Sequence, residues 1–97
     1  MKRDEVLVRL RAHEAEFKQL GVDSLYLFGS TAREEAREDS DVDLFFDHER
    51  GAIGLIEIMD IKERASELLG VEADVMTRRS LHPRLKQRIE SSATRVF

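Results

Sequence analysis

The stretch Leu25-Tyr26-Leu27-Phe28-Gly29-Ser30-Thr31-Ala32-Arg33, followed by Ser40-Asp41-Val42-Asp43-Leu44, decides how this chain folds. An apolar run breaks at Gly-Ser, a polar excursion follows, and Asp-x-Asp leads into a second apolar run. The near-continuous run from Leu25 to Phe28 suits a strand covered on both faces, here spanning 22–28. Glycine at a strand end lets a ligand approach the backbone closely. Ser30 adds a hydroxyl and an N–H, and a short helix over 32–36, with Ser30 or Thr31 near its N-cap, would add donors and a positive dipole end. These are the parts of a phosphate cradle, although Gly-Ser at a strand end is by itself usually just a turn. In the second strand, 41–46, alternation sends Asp41, Asp43 and Phe45 one way and Val42, Leu44 and Phe46 the other. Aspartate is disfavoured in strands. Two on one face, about 7 Å apart along the backbone, fit the oxygen-ligand preference of Mg²⁺, which takes one or two carboxylates plus substrate phosphates. An exposed sheet face or edge is the competing account.

Outward from this stretch, residues 4–20 read as one helix. Val6, Leu7, Leu10, Phe17 and Leu20 form its stripe, His13 or Glu14 interrupts it, Asp4 is the expected N-cap and Gly21 the stop. His13 has no convergent ligand set and reads as structural or surface. Residues 47–51 read as a turn and 53–69 as the longest helix, ended by Gly70. Ile58, Ile61, Ala65, Leu68 and Leu69 are its core stripe, while Ile53, Ile56 and Met59 drift onto a neighbouring face, expected as the edge of a wide core contact rather than a partner surface. A third strand spans 71–76 and a basic loop 77–80. A short helix follows over 82–90, with Pro83 in its first turn. The order α-β-(short α)-β-α-β-α predicts an α/β fold: a small three- or four-stranded sheet with helices on one face. The second and third strands, joined through a helix, are candidates for a parallel pair.

Composition sets the limits. A chain of 97 residues, 41% hydrophobic and 37% charged, holds one domain with one modest core. The absence of cysteine excludes disulfides, thiolate metal sites and thiol nucleophiles. No apolar run approaches a membrane span, and the acidic start lacks a signal-peptide h-region, so a cytoplasmic soluble protein is expected. The net charge of -4 hides an asymmetry. Residues 33–50 carry 8 acidic and 3 basic side chains, and residues 78–97 carry 6 basic and 1 acidic. An acidic cluster beside Asp-x-Asp fits cation binding and a basic tail fits phosphates or an acidic partner, although on charge alone two solvated surfaces of opposite sign are the simpler account.

Asp74 supplies a third carboxylate in an apolar strand. If that strand neighbours the second, Asp41, Asp43 and Asp74 converge. With the cradle they make a two-metal site for phosphoryl or nucleotidyl transfer, in which Asp74 binds one metal and accepts the hydroxyl proton. Gly29-Ser30, ten residues, then Asp41-Val42-Asp43 resembles the signature of the DNA polymerase β-type nucleotidyltransferase superfamily. The fuller run Phe28 to Arg33 through Ser40 to Leu44 is similar to its minimal, single-domain (MNT) branch, which pairs with HEPN proteins as in the MntA antitoxins. The resemblance covers nearly the whole chain, and Ala73-Asp74-Val75 stands where the family places its third carboxylate.

The resemblance implies a single minimal nucleotidyltransferase domain over 1–97. It implies that Gly29 and Ser30 bind the β- and γ-phosphates of ATP, that Asp41, Asp43 and Asp74 ligate Mg²⁺, and that Asp74 is also the base. Arg33 matches a frequent basic position that helps hold phosphate, with a surface ion pair to neighbouring glutamates as the alternative. The implied activity is transfer of AMP from ATP to a tyrosine hydroxyl of a HEPN RNase toxin. Two alternatives stand beside it: an antitoxin that neutralises by binding alone, and a small-molecule nucleotidyltransferase. The chain has no room for the added substrate domain of larger relatives. Acceptor selection is therefore expected from a HEPN partner in a hetero-oligomer, with no membrane and no direct nucleic-acid contact. Arg78 and His82 are too closely spaced for the toxin's own Arg–His motif, so this chain is not expected to be the toxin.

Overall fold

The computed structural model describes residues 1–49 and 53–97. Its elements in chain order are α1 (Arg3–Arg11), α2 (Glu14–Gln19), β1 (Ser24–Phe28), α3 (Gly29–Ala32), β2 (Val42–Asp47), α4 (Leu55–Leu69), β3 (Ala73–Thr77), a 3₁₀ turn (Arg78–Ser80), α5 (Lys86–Ser92) and β4 (Thr94–Arg95). The sheet has the order β3-β2-β1-β4. β1 runs antiparallel to β2 and β4, whereas β2 and β3, joined through α4, are parallel. The α/β architecture read from the element order is therefore the one observed, with β4 completing a mixed four-stranded sheet.

Alternation along the strands divides the sheet into two faces. Leu25, Leu27, Val42, Leu44, Phe46 and Ala73 are buried in the main core with Val6 and Leu10 of α1, Phe17 of α2, and Ile61, Ala65 and Leu69 of α4. The opposite face carries Tyr26, Phe28 and Phe45. The Tyr26 and Phe45 rings stack with centroids 4.8 Å apart, and Phe28 lies 5.7 Å from Phe45. Arginines stitch the layers. Arg9 donates to the terminal carbonyl of α4 at Leu69 (3.2 Å), Arg64 of α4 pairs with Glu16 of α2 (2.8 and 3.0 Å), and Arg11 holds the C-terminal segment through Val96 O (2.6 Å) and Arg95 O of β4 (3.1 Å).

Several element boundaries differ from expectation. The first helix is two. At Ala12-His13 the N–H of His13 bonds back to Leu10, a tighter turn that re-aims the chain so that Phe17 joins the core. Lys2, not Asp4, stands at the N-cap, and Asp4 lies in the first turn, where its charge suits the dipole. The helix after β1 begins at Gly29 and ends at Ala32, because Glu34 takes a left-handed φ of 60° that an α-helix cannot continue. The last helix starts after Pro83 rather than around it. α4 stops at Gly70 as expected, with a left-handed φ of 73°. Ile56 and Met59, expected at the edge of the core, are 74% and 58% exposed, and Leu55 joins them; only Ile53 packs against the core. Arg50 and Gly51 of the expected turn lie outside the described residues. No described helix is long and apolar enough to cross a membrane.

Candidate active site

The site is built where β1, β2 and β3 present their second face. Strand register places Phe28 opposite Asp43, and Asp43 opposite Asp74. Asp43 and Asp74 thus sit side by side on adjacent parallel strands, about 4.8 Å apart by ordinary strand spacing. Burial raises the Asp43 carboxyl above the usual carboxylate range, and the charges of Asp74 and Asp41 raise it further; Arg33 acts in the opposite direction. Asp41 is exposed, one residue ahead of β2, and its charge reaches Asp43.

Gly29 closes the site from below. Its φ is +76°, and a Cβ there would run into the Asp43 carboxylate. The glycine does two things at once: it supplies the left-handed turn from β1 into α3, and it leaves the space the carboxylate occupies. Ser30 stands in the first turn of α3, its carbonyl accepting the N–H of Glu35 at 2.8 Å. Arg33, just past α3, is paired with Glu35 at 3.2 Å. The surface ion pair is thus its arrangement here.

Sequence reasoning did not single out Lys62. Its ammonium, carried by α4, lies 3.4 Å from Glu72 and 3.5 Å from Asp74. The Glu72 hydrogen bond, with help from the Asp74 charge, raises its pKa. A lysine among the charges of a helix gives no sequence signal of which strand edge it will reach. With the Asp74 carboxylate drawn to Lys62, no three carboxylate, imidazole or thiolate groups among the described residues are close enough to form a finished metal cluster. The donor chemistry nevertheless fits a hard divalent cation. The groups are all carboxylates, and burial together with the neighbouring charges of Asp74 and Asp41 disfavours ionisation of Asp43.

Sequence reasoning also passed over the role of α5. An open cleft of about 660 Å³ lies between the Phe28-Gly29 corner and α5, with Arg33 on one wall and Leu85, Arg88 and Ile89 on the other. α5 is held beside this face by Arg78. The Arg78 guanidinium lies over the rings of Tyr26 (4.8 Å) and Phe45 (5.0 Å), grips Asp47 with two hydrogen bonds (2.7 and 2.9 Å), and bonds Glu90 of α5. These carboxylates hold its already high pKa higher still, so it is a permanent cation. The basic excess over 78–97 is legible in the sequence, but not which of its members face the site.

Known proteins resemble this chain in sequence and in fold. The family model for the nucleotidyltransferase domain matches residues 10–96. A candidate protein adenylyltransferase of Methanocaldococcus jannaschii is 38% identical over 88 residues, 89% of either chain. The protein adenylyltransferase MntA of Thermococcus cleftensis is 37% identical over 79 residues, 80% of this chain and 79% of its own. The solved structure of a candidate minimal nucleotidyltransferase superposes with a TM-score of 0.82 at 35% identity, covering 97% of this chain and 95% of that one. Chains of solved toxin–antitoxin complexes share the fold at 14–19% identity, with TM-scores of 0.60–0.69.

Proposed function

The chain belongs to the nucleotidyltransferase domain family, and on that premise we propose that it is a Mg²⁺-dependent antitoxin that transfers AMP from ATP to a tyrosine hydroxyl of a HEPN RNase toxin. The observation that carries the reading is the pairing of Asp43 with Asp74 above Gly29, which sets two carboxylates beside a backbone opening of the kind phosphates use. Its homology to proteins named as protein adenylyltransferases, MntA among them, supports a protein hydroxyl as the acceptor.

In this reading Gly29 and Ser30 hold the β- and γ-phosphates through backbone N–H groups and the Ser30 hydroxyl. Asp41, Asp43 and Asp74 would hold Mg²⁺, which when bound supplies Lewis-acid stabilisation of charge on the reacting oxygens. Asp74 accepts the proton of the acceptor hydroxyl as that oxygen bonds to the α-phosphorus. The bond from the α-phosphorus to the bridging oxygen breaks, and pyrophosphate leaves. The products are an AMP–protein ester and pyrophosphate, with the proton on the carboxylate. Lys62 stands 3.5 Å from the Asp74 carboxylate, a cation beside the proposed base.

The test is incubation of the chain and a HEPN-domain toxin with α-labelled ATP and Mg²⁺. Label is expected on the partner and is lost in the Asp41→Asn, Asp43→Asn double variant. A partner that is neutralised yet unlabelled would overturn the enzymatic reading.

A further inference from the structure

The sequence offers Arg33 as the cation for the phosphates, but the fold gives it a partner of its own. Glu35, which also lines the cleft, holds the Arg33 guanidinium at 3.2 Å and offsets its charge. Across the same cleft stands Arg88 of α5. Arg88 is exposed, and among the described residues its side chain has no carboxylate partner. The nearby hydroxyls do not compete for the same task. Ser91 and Ser92 both give their hydrogens to the Arg88 carbonyl, each at 3.0 Å, so neither offers a donor to the cleft. Glu90, the one acidic residue of α5, is taken up by Arg78. That leaves Arg88 as the uncompensated charge on the wall that faces Gly29.

The order of groups across the face gives this cation its place. Asp74 is on β3, Asp43 on β2, Gly29 at the end of β1, and α5 beyond it. A triphosphate whose α-phosphorus lies by the carboxylates runs its distal phosphates past Gly29 toward α5. We infer that Arg88 binds the β,γ-diphosphate portion of the nucleotide, and hence the leaving pyrophosphate, so that the C-terminal helix forms the second wall of the nucleotide site. This rests on the nucleotidyltransferase reading for the orientation of the substrate. It requires only a di- or triphosphate for the cation itself. A planar guanidinium is suited to two phosphate oxygens at once, which an ammonium is not. The Arg78 clamp on Glu90 makes the wall a fixed one, because it ties α5 to the strand that carries Asp43.

The experiment is calorimetric titration of the whole chain with Mg²⁺ and, in separate runs, a non-hydrolysable ATP analogue, inorganic pyrophosphate and AMP. It compares wild type, Arg88→Gln and Arg88→Lys, with melting curves to confirm folding. Arg88→Gln is expected to weaken the ATP analogue and pyrophosphate by roughly 10- to 100-fold, the range for losing a charge-assisted contact, and to leave AMP unchanged. Arg88→Lys is expected to recover part of the loss. Unchanged affinity for pyrophosphate in Arg88→Gln, or an equal loss for AMP, would overturn the inference. If wild type binds pyrophosphate through Arg88 but ignores the ATP analogue, the inference about the anion stands and the nucleotide reading falls.

Discussion

Gly29 and Asp43 show how closely the chemistry depends on single atoms. Any side chain at Gly29 must both adopt a left-handed φ and displace the Asp43 carboxylate. Gly29→Ala is expected to cost about 1–3 kcal/mol in denaturant unfolding and to reduce AMP transfer by at least tenfold, because the carboxylate is pushed off its position. Asp43 carries the opposite kind of tension. Its carboxyl titrates above the ordinary 3.8 in the folded chain, first because it is buried and then because Asp74 and Asp41 stand beside it. The folded state therefore holds this proton more tightly than the unfolded chain does. Stability falls as pH rises through the raised value, and the penalty is absent below 3.8. Asp43→Asn should accordingly stabilise the metal-free chain at pH 7 by roughly 0.2–1 kcal/mol, the range for relieving like charges on neighbouring strands. Urea melts should show that gain fading as the buffer is taken toward pH 4. A gain that persists in acid would assign the effect to packing instead of charge.

Helices and strands were legible to different depths. α4 was readable because its apolar stripe is long and Gly70 ends it. The first helix was not, since a break at Ala12-His13 needs no proline or glycine and leaves little mark on periodicity. β4 was missed because its two residues have too short a pattern to read, and they exist as a strand only through pairing with β1. α5 was placed too early because Pro83 was read as its first turn, whereas the chain takes a separate turn there, with the N–H of Leu85 bonded to His82 O at 2.8 Å. The position of α5 depends on Arg78. Arg78→Met would keep much of the apolar stem over Tyr26 and Phe45 but strand Asp47 and Glu90, at an expected cost of about 1–3 kcal/mol. Hydrogen exchange should show α5 amides losing protection while those of α4 hold theirs. Equal loss in both helices would mean that the clamp serves the core and not the helix.

At the scale of the molecule, the fold keeps its core on one face and its charges on the other. Phe46, fully buried on the core face, and Phe45, almost fully buried on the second, are adjacent in sequence yet serve different layers. Phe46→Ala is expected to cost about 3–5 kcal/mol. The crowded carboxylates make the apo chain less stable than its metal-bound form would be. Adding Mg²⁺ at pH 7 should therefore raise the melting temperature of the wild type, and chelation should reverse it. The Asp43→Asn, Asp74→Asn double variant should not respond; a full response there would locate the cation elsewhere.

Local pattern was enough to determine the α/β class, the break of the first strand at Gly29 and the family. These depend on alternation, turn chemistry and spacing within a few residues. Whether Asp74 stands beside Asp43 depended on two strands thirty residues apart choosing a parallel register, and only the packing of α4 across the sheet decided it. The same holds for the cations. Arg33 and Arg88 each stand two residues before a glutamate in sequence, and tertiary structure separates them: Glu35 stays with Arg33, whereas Arg78 takes Glu90 and leaves Arg88 at an open cleft. Charge is written in the chain, but which charges are already neutralised is a property of distances, and distances exist only after folding.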